Sequence, residues 1–248
     1  MTLQNTKYII SFCFFFNLSF LATSLTYGAV IAFDNVTTVN TPVYLKALTK
    51  GRFFAQGGRL VFFNIAKNQI GRTLSGGDGY AYLKFNPQHI GIKQFEVLSN
   101  EDEDTGLVLA MGKREEAIIV EIVGGLRDSL FSNKPKEGAQ MALKTLISKY
   151  RIIYLSKGIG TPYLKKWLEK EKFPRSVVLA WRGPELIYTL KERGITLHAI
   201  IGSPDLLSET SELIEKRYTF EENEEGTTAK DWKEILKNLT LKPVPCPP

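Results

Sequence analysis

Two kinds of hydrophobic pattern divide the chain. Between residues 41 and 112, apolar and polar positions alternate in short runs. From residue 117 onward, nearly all-apolar runs alternate with segments whose apolar residues recur three or four apart. The first pattern predicts strands at Val43–Leu48, Arg59–Asn64, Gln69–Leu74, Tyr80–Phe85, Lys93–Leu98 and Leu107–Met111. Turn residues punctuate them, as "QGG", "SGGDG", "NPQHIG" and "NEDEDTG". In "TLSGGDGYAYLKF", Asp78-Gly79 permits a left-handed turn, and Tyr80, Tyr82 and Lys84 alternate with Ala81, Leu83 and Phe85. Closely spaced strands with no helical period between them define a small antiparallel β-sandwich. Phe53-Phe54 and the Phe pair of "LVFFNI" are expected in its core, and "FDNVTTVN" reads as a polar lead-in.

The second pattern predicts strands at Ala117–Ile122, Arg151–Ser156, Val177–Trp181 and Leu197–Ile201, with a short last one in "RYTFEE". Helices are expected at Pro135–Tyr150, from Thr161-Pro162 to about Lys170, at Pro184–Arg193 before Gly194, from Ser203-Pro204 to about Lys216, and in "TTAKDWKEILKNL". In the first helix, Ala139, Leu143, Leu146 and Ile147 share one face. Alternating strands and helices with apolar strands mean a parallel sheet covered on both faces. The fold class is therefore β plus α/β, an antiparallel β-sandwich followed by a Rossmann-like parallel-sheet domain.

The chain of 248 residues is 44% hydrophobic and 23% charged, long enough for two cores. Its net charge of +6 is scattered and interleaved with Glu, which reads as a solvated surface and excludes a nucleic-acid partner. Lys7 precedes the apolar run "YIISFCFFFNLSFLATSL", followed by small residues at Gly28, Ala29 and Ala32. This is the pattern of a secretory signal peptide, expected to be cleaved between Gly28 and Ala32, which leaves no stable membrane span and places the protein in the periplasm or outside the cell. Cleavage also removes Cys13 and leaves Cys246 alone, so no internal disulfide can form. The expected division is a signal peptide at 1–32, an Ig-like sandwich at 33–112, an α/β domain at 113–240 and a Pro-rich tail at 241–248.

In a doubly wound sheet, ligands sit beyond the carboxyl ends of the strands. Those ends read "EIVGG", "LSKGIGTP", "WRGP" and "IGSPD", Gly-bearing loops suited to an anion. His89 and His198 fall in different domains with no cluster of Cys or carboxylates around them, so the pattern supports neither a zinc site nor a Ser-His-Asp triad.

Residues 117–220 resemble the haloacid-dehalogenase-like (HAD) superfamily, in its lipin-type phosphatidate phosphatase branch. The stretch "IIVEIVGGLRDS" is similar to that family's strand followed by D-x-D-G-T-L, "KPKEGAQMALKTLISKYRIIYLS" to its P-x-x-G-A…Y-L-[ST] segment, and "ERGITLHAIIGSPDLLSE" to its acidic fourth motif. The resemblance places Glu121 at the family's nucleophilic Asp and Ser156 at its phosphoryl-binding hydroxyl. It puts Val123 at the acid/base Asp, a residue that can neither donate nor accept a proton, and Gly125 at a Thr. Gly124, Gly125, Ser156, Lys157 and Arg182 become the ligand-binding candidates. Asp205, two residues beyond the expected metal ligand, is either a weak metal candidate or a helix first-turn acid.

The sequence thus favours an inactive HAD-like domain, a pseudophosphatase that binds or scaffolds, with no cofactor. One alternative is an active Mg²⁺-dependent phosphatase using Glu121; another is a surface protein that binds through its sandwich. The partner expected is an unidentified protein or a phosphorylated, anionic ligand.

Overall fold

The computed structural model describes residues 29–157 and 161–241. The proposed leader up to residue 28, part of the "LSKGIGTP" loop, and the tail with Cys246 lie outside them. Eight strands build the first unit: β1 Ala29–Phe33, β2 Asn35–Thr38, β3 Val43–Lys50, β4 Leu60–Ile65, β5 Asn68–Leu74, β6 Tyr80–Phe85, β7 Gly91–Ser99 and β8 Asp102–Met111. They form a three-stranded sheet in the order β1-β3-β6 and a five-stranded sheet in the order β2-β8-β7-β4-β5. All pairs are antiparallel except β2 with β8. Alternate residues fill the space between the sheets, among them Val30, Leu45, Ala47, Val61, Phe63, Phe95 and Val108. Gly79 adopts a φ of 79°, and the Tyr80 N–H donates to Asp78, as the Asp-Gly turn requires.

The N-terminal reading needs correction. Ala29–Phe33 is a strand paired with β3, and Val30 and Ala32 are core residues. A boundary after Ala32 would remove that strand, so only the early end of the expected cleavage range leaves the sandwich whole. The polar lead-in is strand β2, with Val36 and Thr37 fully buried. Phe53 and Phe54, expected in the core, are 72% and 81% exposed; of the "LVFFNI" pair, Phe63 is buried and Phe62 half-buried.

The chain turns at Gly112–Glu115 and enters the second unit. Its strands are β9 Glu116–Glu121, β10 Tyr150–Lys157, β11 Val178–Trp181, β12 Thr196–Ile201, β13 Lys216–Thr219 and β14 Thr227–Thr228. They form one parallel sheet in the order β11-β10-β9-β12-β13-β14. The helices are α1 Ala139–Leu146, α2 Thr161–Lys170, α3 Glu185–Glu192, α4 Pro204–Glu209 and α5 Trp232–Thr240. α1 is shorter than its periodicity predicts because Gly138 takes a left-handed φ of 78° before it and the buried Tyr150 already belongs to β10; Ile147 is exposed. α4 stops at Glu209 rather than near Lys216.

One face of the parallel sheet packs on α1, α2 and α5 through residues such as Leu143, Trp167 and Trp232. The other packs on α3 and on the outer face of the sandwich's five-stranded sheet. Val36, Leu109 and Met111 of the sandwich share one core with Ala117, Ile119, Ile153 and Ile187 of the α/β unit. The two units are therefore joined by a continuous apolar core, not by the turn alone.

Candidate functional site

The strand order reverses at β9: the chain moves from β9 outward to β10 and β11, then returns to β9's other side as β12. A crevice at the carboxyl ends of β9 and β12 is where such a sheet places ligands. The last residue of β9 is Glu121, 2% exposed. A single π-turn, Ile122–Leu126, follows it, and Gly124 inside that turn has a φ of 102°. A Cβ at Gly124 would lie 3.1 Å from Glu121 Oε2, and one at Gly202 would lie 2.6 Å from it. Both glycines thus leave room for the glutamate.

Glu121 has partners on both sides at this end of the sheet. Its Oε2 accepts the Ser203 N–H at 2.6 Å, at the start of α4. Lys157 Nζ, at the end of β10, lies 4.0 Å from Glu121 Oε1 and 3.6 Å from Glu209 Oε1. Glu209 in turn accepts the Trp181 indole N–H at 2.8 Å, at the end of β11. The strand ends are therefore tied by an internal Glu-Lys-Glu chain. Burial pushes the Glu121 carboxyl above its ordinary value, and nearby Asp205 adds to that, while the Ser203 donors and Lys157 oppose it.

The structure brings Glu121, Ser156, Lys157, Gly124 and Gly125 to the same end of the sheet. Ser156 is buried, and its hydroxyl accepts from Thr161 Oγ1 at 3.4 Å. Gly125 contributes differently from the expectation: its carbonyl accepts the indole N–H of the fully buried Trp232 at 3.0 Å. Arg182 is exposed, and no hydrogen bond or ion pair among the described residues joins it to the cluster. Asp205 is an exposed acid in the first turn of α4. Val123 lies in the π-turn with extended backbone. Among the described residues no group of three His, Cys, Asp or Glu is placed to hold a metal. His198 is at the opposite end of the sheet, beside Glu116 and Tyr150.

Sequence reasoning missed Glu209, Trp181 and the Ser203 N–H. It also missed Arg127, fully buried right after the π-turn, where its guanidinium lies 4.9 Å above the Trp167 ring and donates to the carbonyls of Ser129 and Leu130. An Arg inside "GGLRDS" was the available signal. A second concavity was likewise unforeseen. It is a cavity of about 450 Å³ between the two units, lined by Asp34, Leu107, Tyr154, Lys165, Phe173 and Arg175. Asp34 there is already saturated: Oδ1 accepts from Leu107 N at 2.8 Å and Lys165 Nζ at 2.6 Å, and Oδ2 from Val178 N at 2.8 Å.

No family model matches the chain, so the HAD resemblance rests on its motifs alone. No curated protein matches it either. Among solved structures, the chain is similar to the adhesin InvE of Yersinia pseudotuberculosis, at 11% identity and a TM-score of 0.28, over 34% of this chain and 32% of that one. It is also similar to the D0-D1 domain of Intimin, at 16% identity and a TM-score of 0.31, over 38% and 58% of the two chains. The fibronectin(III)-like modules of Clostridium thermocellum CbhA align at 17% identity and a TM-score of 0.27, over 37% and 50%. The chain spans less than two thirds of each of these, and the sandwich assignment rests on its own two sheets.

Proposed function

We propose that this is an exported, non-catalytic binding or scaffolding protein whose HAD-like domain is a pseudophosphatase. One observation carries the reading: Glu121 Oε2 takes the Ser203 N–H at 2.6 Å, so a backbone donor that could serve an anion is already occupied by the protein's own carboxylate. The cation expected to attract a phosphate, Lys157, is shared between Glu121 and Glu209. Val123 supplies no proton for a leaving group, and a buried carboxyl already spent as an acceptor is poorly placed to attack phosphorus. The apolar N-terminal run after Lys7 supports export, and periplasm or extracellular space as destination.

If Mg²⁺ bound, the residues the HAD resemblance assigns to it are Glu121 and the Val123 carbonyl, and the ion would polarise a phosphoryl oxygen. Glu121 is hydrogen-bonded to Ser203, Glu209 is held by Lys157 and Trp181, and among the described residues no three His, Cys, Asp or Glu side chains are placed to hold a metal, so the residues present do not make that site. The test is turnover of p-nitrophenyl phosphate and of phosphatidate with Mg²⁺ by the purified chain and by Glu121→Ala. Equal background rates are expected. Turnover by the parent chain that the substitution abolishes would establish an active phosphatase instead.

A further inference from the structure

The cavity between the two units encloses about 450 Å³. Pockets for small molecules occupy roughly 300–1,000 Å³. Thr105 and Leu107 of β8 form one wall; Lys165 and Leu168 of α2, with Phe173 and Arg175 on the segment leading to β11, form the other. Any occupant therefore touches both units. The buried polar groups here are already partnered. Asp34 has its three donors, the Tyr154 hydroxyl donates to the Pro174 carbonyl at 2.9 Å, and the Ser176 hydroxyl donates to that of Ile152. What the fold leaves open is mainly donor capacity. Lys165 Nζ gives one hydrogen to Asp34 and keeps the others. The exposed Arg175 guanidinium gives one N–H to the Gln94 side-chain carbonyl, and among the described residues its other donors have no acceptor.

We propose that this cavity binds a small organic monocarboxylate, its carboxylate on Arg175 and Lys165 and its hydrocarbon body against Leu107, Leu168 and Phe173, so that the ligand bridges the sandwich and the α/β unit. A planar guanidinium matches a carboxylate with paired N–H bonds, and the apolar walls recover the free energy of burying the ligand's hydrocarbon. Asp34 offsets much of the Lys165 charge, so Arg175 supplies most of the attraction. Glu169, an exposed carboxylate on the same lining, limits the ligand to a single negative charge. Inorganic phosphate, a dianion without an apolar body, is a poor fit. Neither Glu121 nor Ser203 lines this cavity, so the proposal stands apart from the pseudophosphatase reading.

The experiment follows line broadening in fluorine NMR as the full chain is added to para-fluorophenylacetate or to para-fluorophenethylamine, which carries the same ring with the opposite charge. Thr105→Trp fills the cavity from the sandwich side, and Arg175→Gln removes the cation. Both side chains are exposed, so the fold is retained, which an unchanged thermal midpoint verifies. The parent is expected to broaden the carboxylate and not the amine, and inorganic phosphate is expected not to reverse it. Thr105→Trp should abolish the broadening, and Arg175→Gln should weaken binding about tenfold or more. No broadening of the carboxylate at millimolar concentration, equal broadening of the amine, reversal by phosphate, or parent-like binding in either variant would overturn the proposal.

Discussion

The backbone N–H of Val178 donates to Asp34 Oδ2 at 2.8 Å, joining two residues 144 positions apart. Asp34 sits where the chain leaves the three-stranded sheet for the five-stranded one, and Val178 opens β11 of the parallel sheet. The same carboxylate takes Leu107 N and Lys165 Nζ, so one side chain fastens the sandwich to the α/β unit.

Removing that fastener leaves two buried N–H groups and a lysine without their acceptor. Asp34→Ala is expected to cost roughly 3 kcal/mol of stability. Denaturant unfolding measures the loss, and hydrogen exchange at the Val178 and Leu107 amides should quicken beyond that of amides elsewhere in the sandwich. Unchanged protection at both amides would contradict the role.

Acidic residues give the protein an unusual pH dependence. Burial holds Asp34 above its ordinary 3.8 despite Lys165, and Glu121 above its ordinary 4.5 despite Ser203 and Lys157. The folded state then keeps protons that the unfolded chain has released. Across the window that opens at those ordinary values, the unfolded state binds fewer protons, so these two groups lower stability as pH rises. Glu121→Gln keeps the shape and an acceptor for Ser203 N. Its denaturant midpoint at neutral pH should match or exceed the parent's, and its decline from about pH 4 upward should be shallower.

His198 works in the opposite direction. Burial, then Lys216, lowers it below its ordinary 6.5, against the pull of Glu116, whose carboxylate lies 3.2 Å from Nδ1. Below pH 6.5 the unfolded chain takes up a proton that the folded state resists, so stability falls with acidification through that value. A His198→Gln variant should lose that part of the acid sensitivity in thermal scans at pH 5 and pH 7, both on the order of the histidine range.

Gly202 tests the fit around Glu121. An added Cβ would meet Glu121 Oε2 at 2.6 Å and Leu206 Cδ2 at 2.8 Å. Gly202→Ala is expected to destabilise by about 1–3 kcal/mol through overpacking. A neutral substitution would mean that the carboxylate does not occupy the crevice.

Much of this architecture was legible because burial writes itself into local pattern. The apolar runs around Ile118, Ile153, Leu179 and Ile200 mark strands covered on both faces, and Asp78-Gly79 marks its hairpin. What failed has physical causes. Ala29 and Ala32 are the small residues expected before a leader's cleavage site, so a core strand read as the end of a leader. Phe53 and Phe54 looked like core because aromatic residues usually are, and nothing local marks them as exposed. At the strand ends, Glu121, Ser156 and Lys157 could be named because strand ends can be located. Their partners could not, because Glu209 closes a helix and Trp181 ends a neighbouring strand, and only the sheet order brings them to Lys157. Asp34 was invisible for the same reason: its partner Val178 is set by tertiary packing alone.

Phosphate binding by the parent chain and by Glu121→Ala, followed by titration calorimetry with inorganic phosphate, tests most directly whether the strand-end crevice is filled from within. The parent should show no saturable heat, and removal of the carboxylate should free Ser203 N and Lys157 to bind the anion. Saturable binding by the parent that is lost in Glu121→Ala would contradict the account.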